Sequence, residues 1–426
     1  MHTPTAPAGF GAFVRGAPEL VVQPRMGFGS PDLMRRGLLA TRAAAGTTVG
    51  TLTLDSYTRV GDLAAARRAV EQGADLNGYP LLTHGPDATR RLLEGIAAPA
   101  FPVQVRHGSA APQDIVRGLL AADLHATEGG PVSYCLPYGR TPLAESVRNW
   151  AESCELLAAA RGDGVEPHLE SFGGCMMGQL CPPSLLVALS MLEGLFFVQH
   201  GLRSISLSYA QQTDESQDEE AVRALRRLSA ELLPPDTDWH VVVYTYMGVY
   251  PRTPAGALAL QDRAVRLAVR TGAERLIVKT AVEAQRIPTI AENVAALESS
   301  ARTARAAYGP VYEGVDSTVY AEARALVDAV RCLDRDLGRA LLAAFRRGLL
   351  DVPFCLHPDN AGRSAGFVDA EGRLAWSSIG AMPIGDVVSP RPTAALTSGG
   401  LLDALHHVES RLDVEGLREL AAVPAS

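Results

Sequence analysis

The 426-residue sequence has almost no lysine: among 39 Lys and Arg residues, Lys279 is the only lysine. Its formal net charge is −8. Because the arginines are scattered through a net acidic chain, no cationic stripe is available, and we expect neither nucleic acid nor a membrane as a partner. With 47% hydrophobic and 20% charged residues, the composition is that of a globular protein rather than a disordered one.

Other sequence signals are also missing. The six cysteines form no CxxC pair, which argues against a metal site and predicts reduced thiols in a cytoplasmic protein. The N-terminus lacks the basic and then apolar pattern of a signal peptide. The longest apolar run, residues 185–198, is too short to span a bilayer. It predicts a buried helix, with Pro182 and Pro183 at its start and Gly201 just past its end.

What the sequence does contain is a repeated strand-and-helix rhythm. Between about residues 49 and 290, short apolar or β-branched runs are each followed by a turn and an amphipathic stretch. Eight such units predict a (β/α)8 TIM barrel. The alternative is an open doubly wound sheet, but no GxGxxG or GxxxxGK[ST] motif follows the first run. The eight runs are 49–55, 79–84, 102–108, 122–130, 165–173, 204–210, 240–248 and 275–281.

The remaining sequence predicts two additions to the barrel. Residues 1–48 are rich in Pro and Gly and predict an N-terminal arm. Residues 49–300 then form the barrel, and residues 301–426 predict a smaller C-terminal appendage of helices and loops.

Ionisable residues end several of the predicted strands. In a barrel of this type the carboxyl ends of the strands meet at one mouth, where catalytic groups are found. Several of the runs therefore predict a charged site at that mouth. The residues are Arg59, Arg106, Glu128, Glu170 and Lys279.

Two arginines at this mouth, with Arg25 in the predicted arm as a third, suit a substrate that carries carboxylates. Glu128 could hold a substrate ammonium or act as a base. The alternative is that the arginines of the mouth simply pair with neighbouring carboxylates in a buried network. The candidate partners in that network are Asp55, Glu128 and Glu170.

Two tyrosines follow Glu128 closely in the sequence. Tyr134 and Tyr138 could donate phenol hydroxyls to a ligand at the mouth, or could be half-buried packing residues with satisfied hydroxyls.

Lys279 stands out because the chain otherwise uses arginine for positive charge. A lysine at the end of the last strand could form a Schiff base, which makes an aldolase-like enzyme the leading alternative from the residues alone. Glu283 follows at i+4 and would face Lys279 if the segment is helical.

Longer segments in a fixed order carry a resemblance to a known family. The sequence resembles the large, epsilon-type subunit of glutamate mutase (methylaspartate mutase), an adenosylcobalamin-dependent isomerase. The resemblance implies a (β/α)8 barrel and a radical interconversion of L-glutamate and threo-3-methyl-L-aspartate. The segments are QPRMG, TLTLDSYTR, LNGYPLLTHG, VQVRHG, EGGPVSYCLPY, ESFG, CPPS, LIVKTAVEAQRIPT, FRRGLLDVPF and NAGR.

The resemblance also implies roles for particular residues. Three arginines hold the substrate carboxylates, a glutamate meets the substrate amino group, and two tyrosines lie on the substrate side. These substrate residues match Arg25, Arg59, Arg106, Glu128, Tyr134 and Tyr138, and Glu170 matches a further active-site glutamate. The cofactor-side positions match Gly27, Asn77, Pro137, Tyr250, Lys279, Glu283 and Ile287.

The resemblance implies a partner chain as well. Cobalamin-binding chains of this group carry a DxHxxG motif, whereas the nearest segment here, DLHATE at 123–128, lacks the glycine. The corrinoid is therefore expected to be held mainly by a separate small subunit that carries DxHxxG. A heterotetramer of two large and two small chains would follow the family.

Some segments depart from the family pattern. A stretch close to HQWMGGFP in the family reads YTYMGVYP here, from Tyr244 to Pro251, and KTPHE has become KTAVE. Two alternatives to glutamate mutase therefore stay open: a related mutase that acts on another amino dicarboxylate in a biosynthetic pathway, and a non-catalytic barrel that only scaffolds a complex.

Overall fold

The computed structural model describes residues 9–137, 139–162, 164–173, 180–283, 285–307, 317–391 and 397–422. Its centre is a parallel sheet of eight strands. They are β1 (Val21–Pro24), β2 (Gly50–Thr53), β3 (Val103–Arg106), β4 (Ala126–Glu128), β5 (His168–Glu170), β6 (Ser204–Ala210), β7 (Asp238–Tyr244) and β8 (Arg275–Val278). Their spatial order is β1-β8-β7-β6-β5-β4-β3-β2.

The two outer strands of this sheet, β1 and β2, approach each other. The Val22 amide donates to the Thr47 carbonyl at 2.9 Å, and the Thr53 amide donates to the Met26 carbonyl at 2.9 Å. The sheet therefore nearly closes, and the predicted (β/α)8 barrel is confirmed.

Helices surround the barrel and join its strands. One of them, α8, is buried along its length, and it begins at Pro183 as predicted for the long apolar run. The helices are α1 (Phe10–Gly16), α2 (Pro31–Ala43), α3 (Ser56–Val60), α4 (Leu63–Glu71), α5 (Leu81–Leu93), α6 (Gln113–Ala121), α7 (Leu143–Ala159), α8 (Pro183–Gln199), α9 (Glu215–Leu232), α10 (Pro254–Thr271), α11 (Ile290–Ala306), α12 (Thr318–Arg331), α13 (Leu337–Arg347), α14 (Ser398–Leu405) and α15 (His407–Ala422).

The strands differ from the predicted set at two places. β1 comes from within the segment expected to be an arm, and it pairs in parallel with β8. The predicted strand at 79–84 is wrong: Tyr79 forms a single bridge with Leu54, and α5 begins at Leu81. Pro80 precedes that helix, a place where the missing N–H of proline costs nothing.

The region after residue 300 packs around the barrel helices. α12 contacts α8 and α9, and α13 contacts α7 and α8. Leu326 and Phe345 from these helices belong to the main hydrophobic core. An antiparallel hairpin, β9 (Ser364–Val368) with β10 (Leu374–Ile379), follows.

The described residues bear on two sequence predictions, the lack of a membrane-spanning helix and the reduced state of the cysteines. Within them, no helix combines the length and the apolar character needed to cross a bilayer. The cysteines described there are free, and Cys175 lies outside the described residues.

Candidate active site

Three neighbouring strands end in ionisable side chains at one mouth of the barrel. Arg106 is the last residue of β3, Glu128 of β4 and Glu170 of β5. Glu128 lies directly beside Glu170 in the β4–β5 register. Because the carboxyl ends of parallel barrel strands meet at one face, these side chains converge there.

The centre of this cluster is a buried ion pair. Arg106 Nη2 lies 2.7 Å from Glu128 Oε2, and the two side chains are 4% and 2% exposed. Arg106 Nη1 is 3.8 Å from Glu170 Oε1 and has no hydrogen-bond partner among the described residues. An unsatisfied buried donor costs about 1–3 kcal/mol. This N–H therefore marks a place where an acceptor, such as a carboxylate oxygen, would bind.

Tyr244, the last residue of β7, bridges the two carboxylates and was missed by the sequence analysis. Its hydroxyl lies 3.0 Å from Glu128 Oε2 and also contacts Glu170 Oε1. The Tyr244 hydroxyl oxygen also accepts from Arg106 Nη2 at 3.2 Å, and the centroid of the Tyr244 ring is 5.0 Å from the Arg106 guanidinium. One hydroxyl proton can serve only one carboxylate at a time. The signal that could have found Tyr244 was its place at a strand end.

Glu128 is surrounded by protein donors on both of its oxygens. The Tyr134 hydroxyl donates to Oε1, while Arg106 and Tyr244 lie at Oε2. A carboxylate offers about four acceptor positions. At least one position is thus left for a further donor, such as a substrate ammonium.

Glu170 is held from behind by residues that the sequence analysis also missed. Arg275, the first residue of β8, is fully buried and donates to Glu170 Oε2. Gln104 Nε2 donates to the same oxygen at 3.1 Å. Both oxygens of Glu170 therefore contact protein donors, which suits a residue that positions Arg106 and Tyr244.

The surroundings shift the pKa values of Glu128 and Glu170 in opposite directions. Burial raises the pKa of Glu128 above its ordinary value, although Arg106 acts in the opposite direction. Burial also acts on Glu170, but Arg275 and Arg106 together outweigh it and lower the pKa of Glu170. Glu170 is therefore held charged, and Glu128 is the carboxyl of this pair that more readily takes up a proton.

His107 directly follows Arg106 and was missed although it stands in the VRHG segment. Burial, with Arg59 and Arg106 nearby, lowers the pKa of His107 to about 3. Its Nδ1 accepts from the Ser109 amide at 3.2 Å, so the proton of the neutral ring is on Nε2. That buried Nε2 has no hydrogen-bond partner in the described part of the chain. It is a second donor placed for a ligand.

The other two predicted arginines lie nearer the surface of the mouth. Arg59 is on α3, and its Nε donates to the Leu54 carbonyl at 2.7 Å. Asp55, one of its predicted partners, instead caps α3 by accepting from the amides of Tyr57 and Thr58. The third arginine is engaged differently. Arg25 Nη1 lies 2.5 Å from Glu283 Oε1.

Two cavities share this Arg25–Glu283 pair as a wall. The smaller, about 240 Å³, is lined by Arg25, Glu283 and Arg59 together with three predicted cofactor residues. The larger, about 520 Å³, is lined by Arg25 and Glu283 with Tyr250 and Lys279. Besides Glu283, the predicted cofactor residues that line the smaller cavity are Gly27, Asn77 and Ile287.

Lys279 and Tyr250 meet in the larger cavity. The Lys279 Nζ lies 5.1 Å from the centroid of the Tyr250 ring, a cation–π contact. The buried Tyr250 hydroxyl has no hydrogen-bond partner among the described residues. Residues 281–283 form a turn rather than the helix needed for an i+4 contact, yet Lys279 and Glu283 line the same cavity.

The loop after β4, which carries Tyr134 and Pro137, is anchored by a buried carboxylate. Glu193 of α8 accepts from the Val132 amide at 3.0 Å and from the Ser133 amide at 2.8 Å. Burial raises the pKa of Glu193 to about 7. Its role could not be read from the sequence, where it stands inside an apolar run. Tyr138, the other predicted tyrosine, lies outside the described residues.

Comparison with known proteins places the chain. The family model described as Methylaspartate mutase E chain (MutE) matches residues 11–401. The chain belongs to this family.

Relatives of this family member share about a third of its residues. A glutamate mutase epsilon subunit from Halobacterium salinarum is 32% identical over 389 residues, covering 88% of this chain and 81% of that protein. One from Escherichia coli O157:H7 is 31% identical over 349 residues, covering 78% and 72%. The carboxyl transferase domain of Rhizobium etli pyruvate carboxylase has 13% identity and a TM-score of 0.37 over 96% of this chain and 78% of that chain. That likeness is too low to inform fold or function.

Proposed function

We propose that the chain is the catalytic large subunit of an adenosylcobalamin-dependent mutase that interconverts L-glutamate and threo-3-methyl-L-aspartate. The observation that carries the proposal is the buried Arg106–Glu128 pair, whose Arg106 Nη1 has no hydrogen-bond partner among the described residues. Arg106 can donate to a carboxylate, and Glu128 beside it can accept from an ammonium. Every α-amino acid presents these two groups. The names of the family and of its relatives point to the same reaction.

The substrate grip extends outward from this pair. Arg106 Nη1 would donate to one substrate carboxylate and His107 Nε2 would donate beside it. Arg59 and Arg25, which line one cavity, would hold the second carboxylate through their guanidinium groups. Glu128, with Tyr134 fixing one of its oxygens, would accept from the ammonium.

The residues on the cofactor side fit an adenosyl group. The buried Tyr250 hydroxyl lacks a partner in the described chain and lines the larger cavity with Lys279 and Glu283. A Cβ at Gly27 would approach the Thr53 carbonyl oxygen to 2.3 Å, so glycine is required where the chain passes this site. Carboxylates commonly bind ribose hydroxyls, which suits Glu283. When bound, adenosylcobalamin supplies the radical chemistry by which hydrogen is exchanged with the substrate.

The chain's own contribution is to orient the substrate and exclude water. Arg106, Glu128 and Tyr244 are at most 4% exposed, so a substrate bound to them is held in a dry interior. Fixed partners on both sides of the reacting carbon limit side reactions of a reactive intermediate.

The proposal includes a partner. The corrinoid would be held mainly by a small subunit that carries DxHxxG, in an assembly of two large and two small chains. A complex of this chain with such a subunit and adenosylcobalamin should convert L-glutamate to 3-methylaspartate, followed by proton NMR. Absence of product from an assembled, cofactor-loaded complex would refute the proposal.

A related reaction on another amino dicarboxylate is the second candidate, and Tyr244 favours it. This tyrosine replaces a different residue of the family stretch, and it contacts Arg106 and Glu128 directly. A panel of amino dicarboxylates assayed with the same complex decides between the two. Turnover of another amino acid faster than glutamate would select the second candidate.

A further inference from the structure

The C-terminal helix α15 lies against the cofactor side of the site, beyond the part of the chain that the family model matches, which ends at residue 401. Asp413 of α15 accepts from the amides of Arg252 and Thr253 at 3.0 and 2.9 Å. It also accepts from the Thr253 hydroxyl at 2.6 Å. Since Thr253 caps the N-terminus of α10, α15 is fastened to the loop between β7 and α10.

Apolar contacts join α15 to the same loop. Val408 and Leu412 of the helix form a small buried cluster with Tyr246, Tyr250 and Leu260. The loop that places Tyr250 in the larger cavity is therefore packed against α15. A helix outside the matched region thus helps to fix a predicted cofactor residue.

One side chain of α15 reaches the cavity itself. Glu409 is 5% exposed and lines the 520 Å³ cavity together with Lys279 and Glu283. It contacts Arg252 Nε through one oxygen and His406 Nδ1 through the other. An acidic residue in the first turn of a helix also stabilises that helix, but this accounts only for the charge of Glu409 and not for its place in a cavity wall.

The two carboxylates of this cavity are already paired with cations. Arg25 is paired with Glu283 and Arg252 with Glu409, while the Lys279 ammonium, also in the wall, lies over the Tyr250 ring. Each carboxylate keeps acceptor positions beyond those taken by its partner, because a carboxylate has about four. Paired charges with spare acceptors suit neutral donors such as hydroxyl or primary amide groups.

We propose that α15 completes the cofactor pocket and that Glu409 is a binding residue within it, accepting hydrogen bonds from neutral donors of the ligand. The inference rests on the function proposed above. The donors are either the ribose hydroxyls of the adenosyl group or the amide side chains of the corrin ring. Glu409 would then be a cofactor-binding residue outside the set implied by the family resemblance.

The test compares two glutamates of the same helix in the assembled complex with the small subunit. Glu409→Gln should weaken adenosylcobalamin binding about tenfold, the loss expected for one hydrogen bond to a charged group. Glu415→Gln is the matched control, because Glu415 forms an ion pair with Arg263 at 2.5 Å and does not line the cavity. It should change the dissociation constant less than about twofold, as is usual for a surface pair.

A second ligand, cyanocobalamin, distinguishes the ribose hydroxyls from the corrin amides as the donors to Glu409. If Glu409→Gln weakens adenosylcobalamin but not cyanocobalamin, the partner is the ribose; if it weakens both equally, the partner is a corrin amide. Unchanged binding of both ligands, or an equal loss in the Glu415→Gln control, would overturn the inference.

A measurement on the wild-type complex covers the case in which Glu409→Gln does not fold. Adenosylcobalamin should slow amide hydrogen exchange in peptides that span residues 398–416, and unchanged exchange there would overturn the inference. If the wild-type complex binds no adenosylcobalamin at all, the proposed function itself fails, which is a distinguishable result.

Discussion

The substrate side and the cofactor side of the candidate site are built in different ways. On the substrate side, Arg106, Glu128 and Glu170 stand at strand ends inside the barrel, and each is at most 4% exposed. On the cofactor side, Tyr250 and Glu283 lie on loops after β7 and β8. Strand-borne groups are fixed by the sheet, whereas loop-borne groups depend on whatever packs against the loop.

This difference predicts how each side responds to substitution. A change within the buried cluster leaves charged groups unpaired in a dry interior, where the penalty is large. A change on the loops is partly compensated by water and by movement of the loop.

Arg106→Lys should reduce kcat/KM for the substrate about a hundredfold, since it loses a hydrogen bond between charged groups, worth about 1.5–3 kcal/mol. Lysine keeps the charge but cannot contact Glu128 and a substrate carboxylate through two separate nitrogens. Steady-state kinetics of the complex measure this effect. Arg270→Lys, on the exposed side of α10, is the control, and equal kinetics for the two variants would remove Arg106 from the substrate grip.

Glu193→Gln should remove a pH dependence of stability. The pKa of Glu193 is raised from 4.5 to about 7, so the folded state binds this proton more tightly and the carboxyl destabilises the protein as pH rises from about 4.5 to 7. Relative to Glu193→Gln, the free energy of unfolding of the wild type should fall by about 3 kcal/mol over that range.

Urea unfolding at pH 5, 6 and 7 measures that difference. Parallel pH profiles for the wild type and Glu193→Gln would show that the buried carboxyl does not titrate as expected.

Tyr244→Phe should lower kcat/KM about tenfold, because a hydroxyl that contacts both carboxylates contributes about 1–2 kcal/mol. Tyr246→Phe is the matched control: its hydroxyl is buried two residues away but has no hydrogen-bond partner among the described residues. A substrate panel run with both variants also shows whether Tyr244 sets substrate preference. Identical kinetics for the two variants would mean that the bridge between the carboxylates is not used.

Lys279→Arg should weaken adenosylcobalamin binding by less than about tenfold, the smallest effect of the series, because the cation–π contact with Tyr250 is worth about 0.5–2 kcal/mol and arginine retains part of it. Titration of the complex with cofactor, followed by absorbance, measures it. A loss as large as that of Arg106→Lys in kcat/KM would erase the contrast between the two sides.

The sequence predicted the fold class because the βα rhythm is strong over most of the barrel. It failed at β1, where VVQP is a four-residue strand inside a Pro- and Gly-rich segment. A short buried strand has no periodicity that separates it from a loop. It failed again at 79–84, where one apolar run fits either a strand or the start of a helix.

The site was predictable where chemistry coincides with a strand end. Arg106, Glu128 and Glu170 were found in this way, and the structure brings them together. Arg275 was not found, because it is the first residue of β8 and not the last, and its long side chain extends along the barrel interior to Glu170. Glu193 was missed because its contacts reach across the barrel, which no local pattern encodes. Tyr244 was missed because the predicted strand at 240–248 ran past it, whereas β7 ends there. For Lys279, family membership replaces the aldolase-like alternative that its position alone had favoured.

The most direct test is a crystal structure of the large–small complex with L-glutamate bound. The account predicts a substrate carboxylate oxygen within hydrogen-bond distance of Arg106 Nη1, about 2.7–3.2 Å, with the substrate ammonium on Glu128. A bound glutamate that leaves Arg106 Nη1 unpaired and has its ammonium away from Glu128 would contradict it.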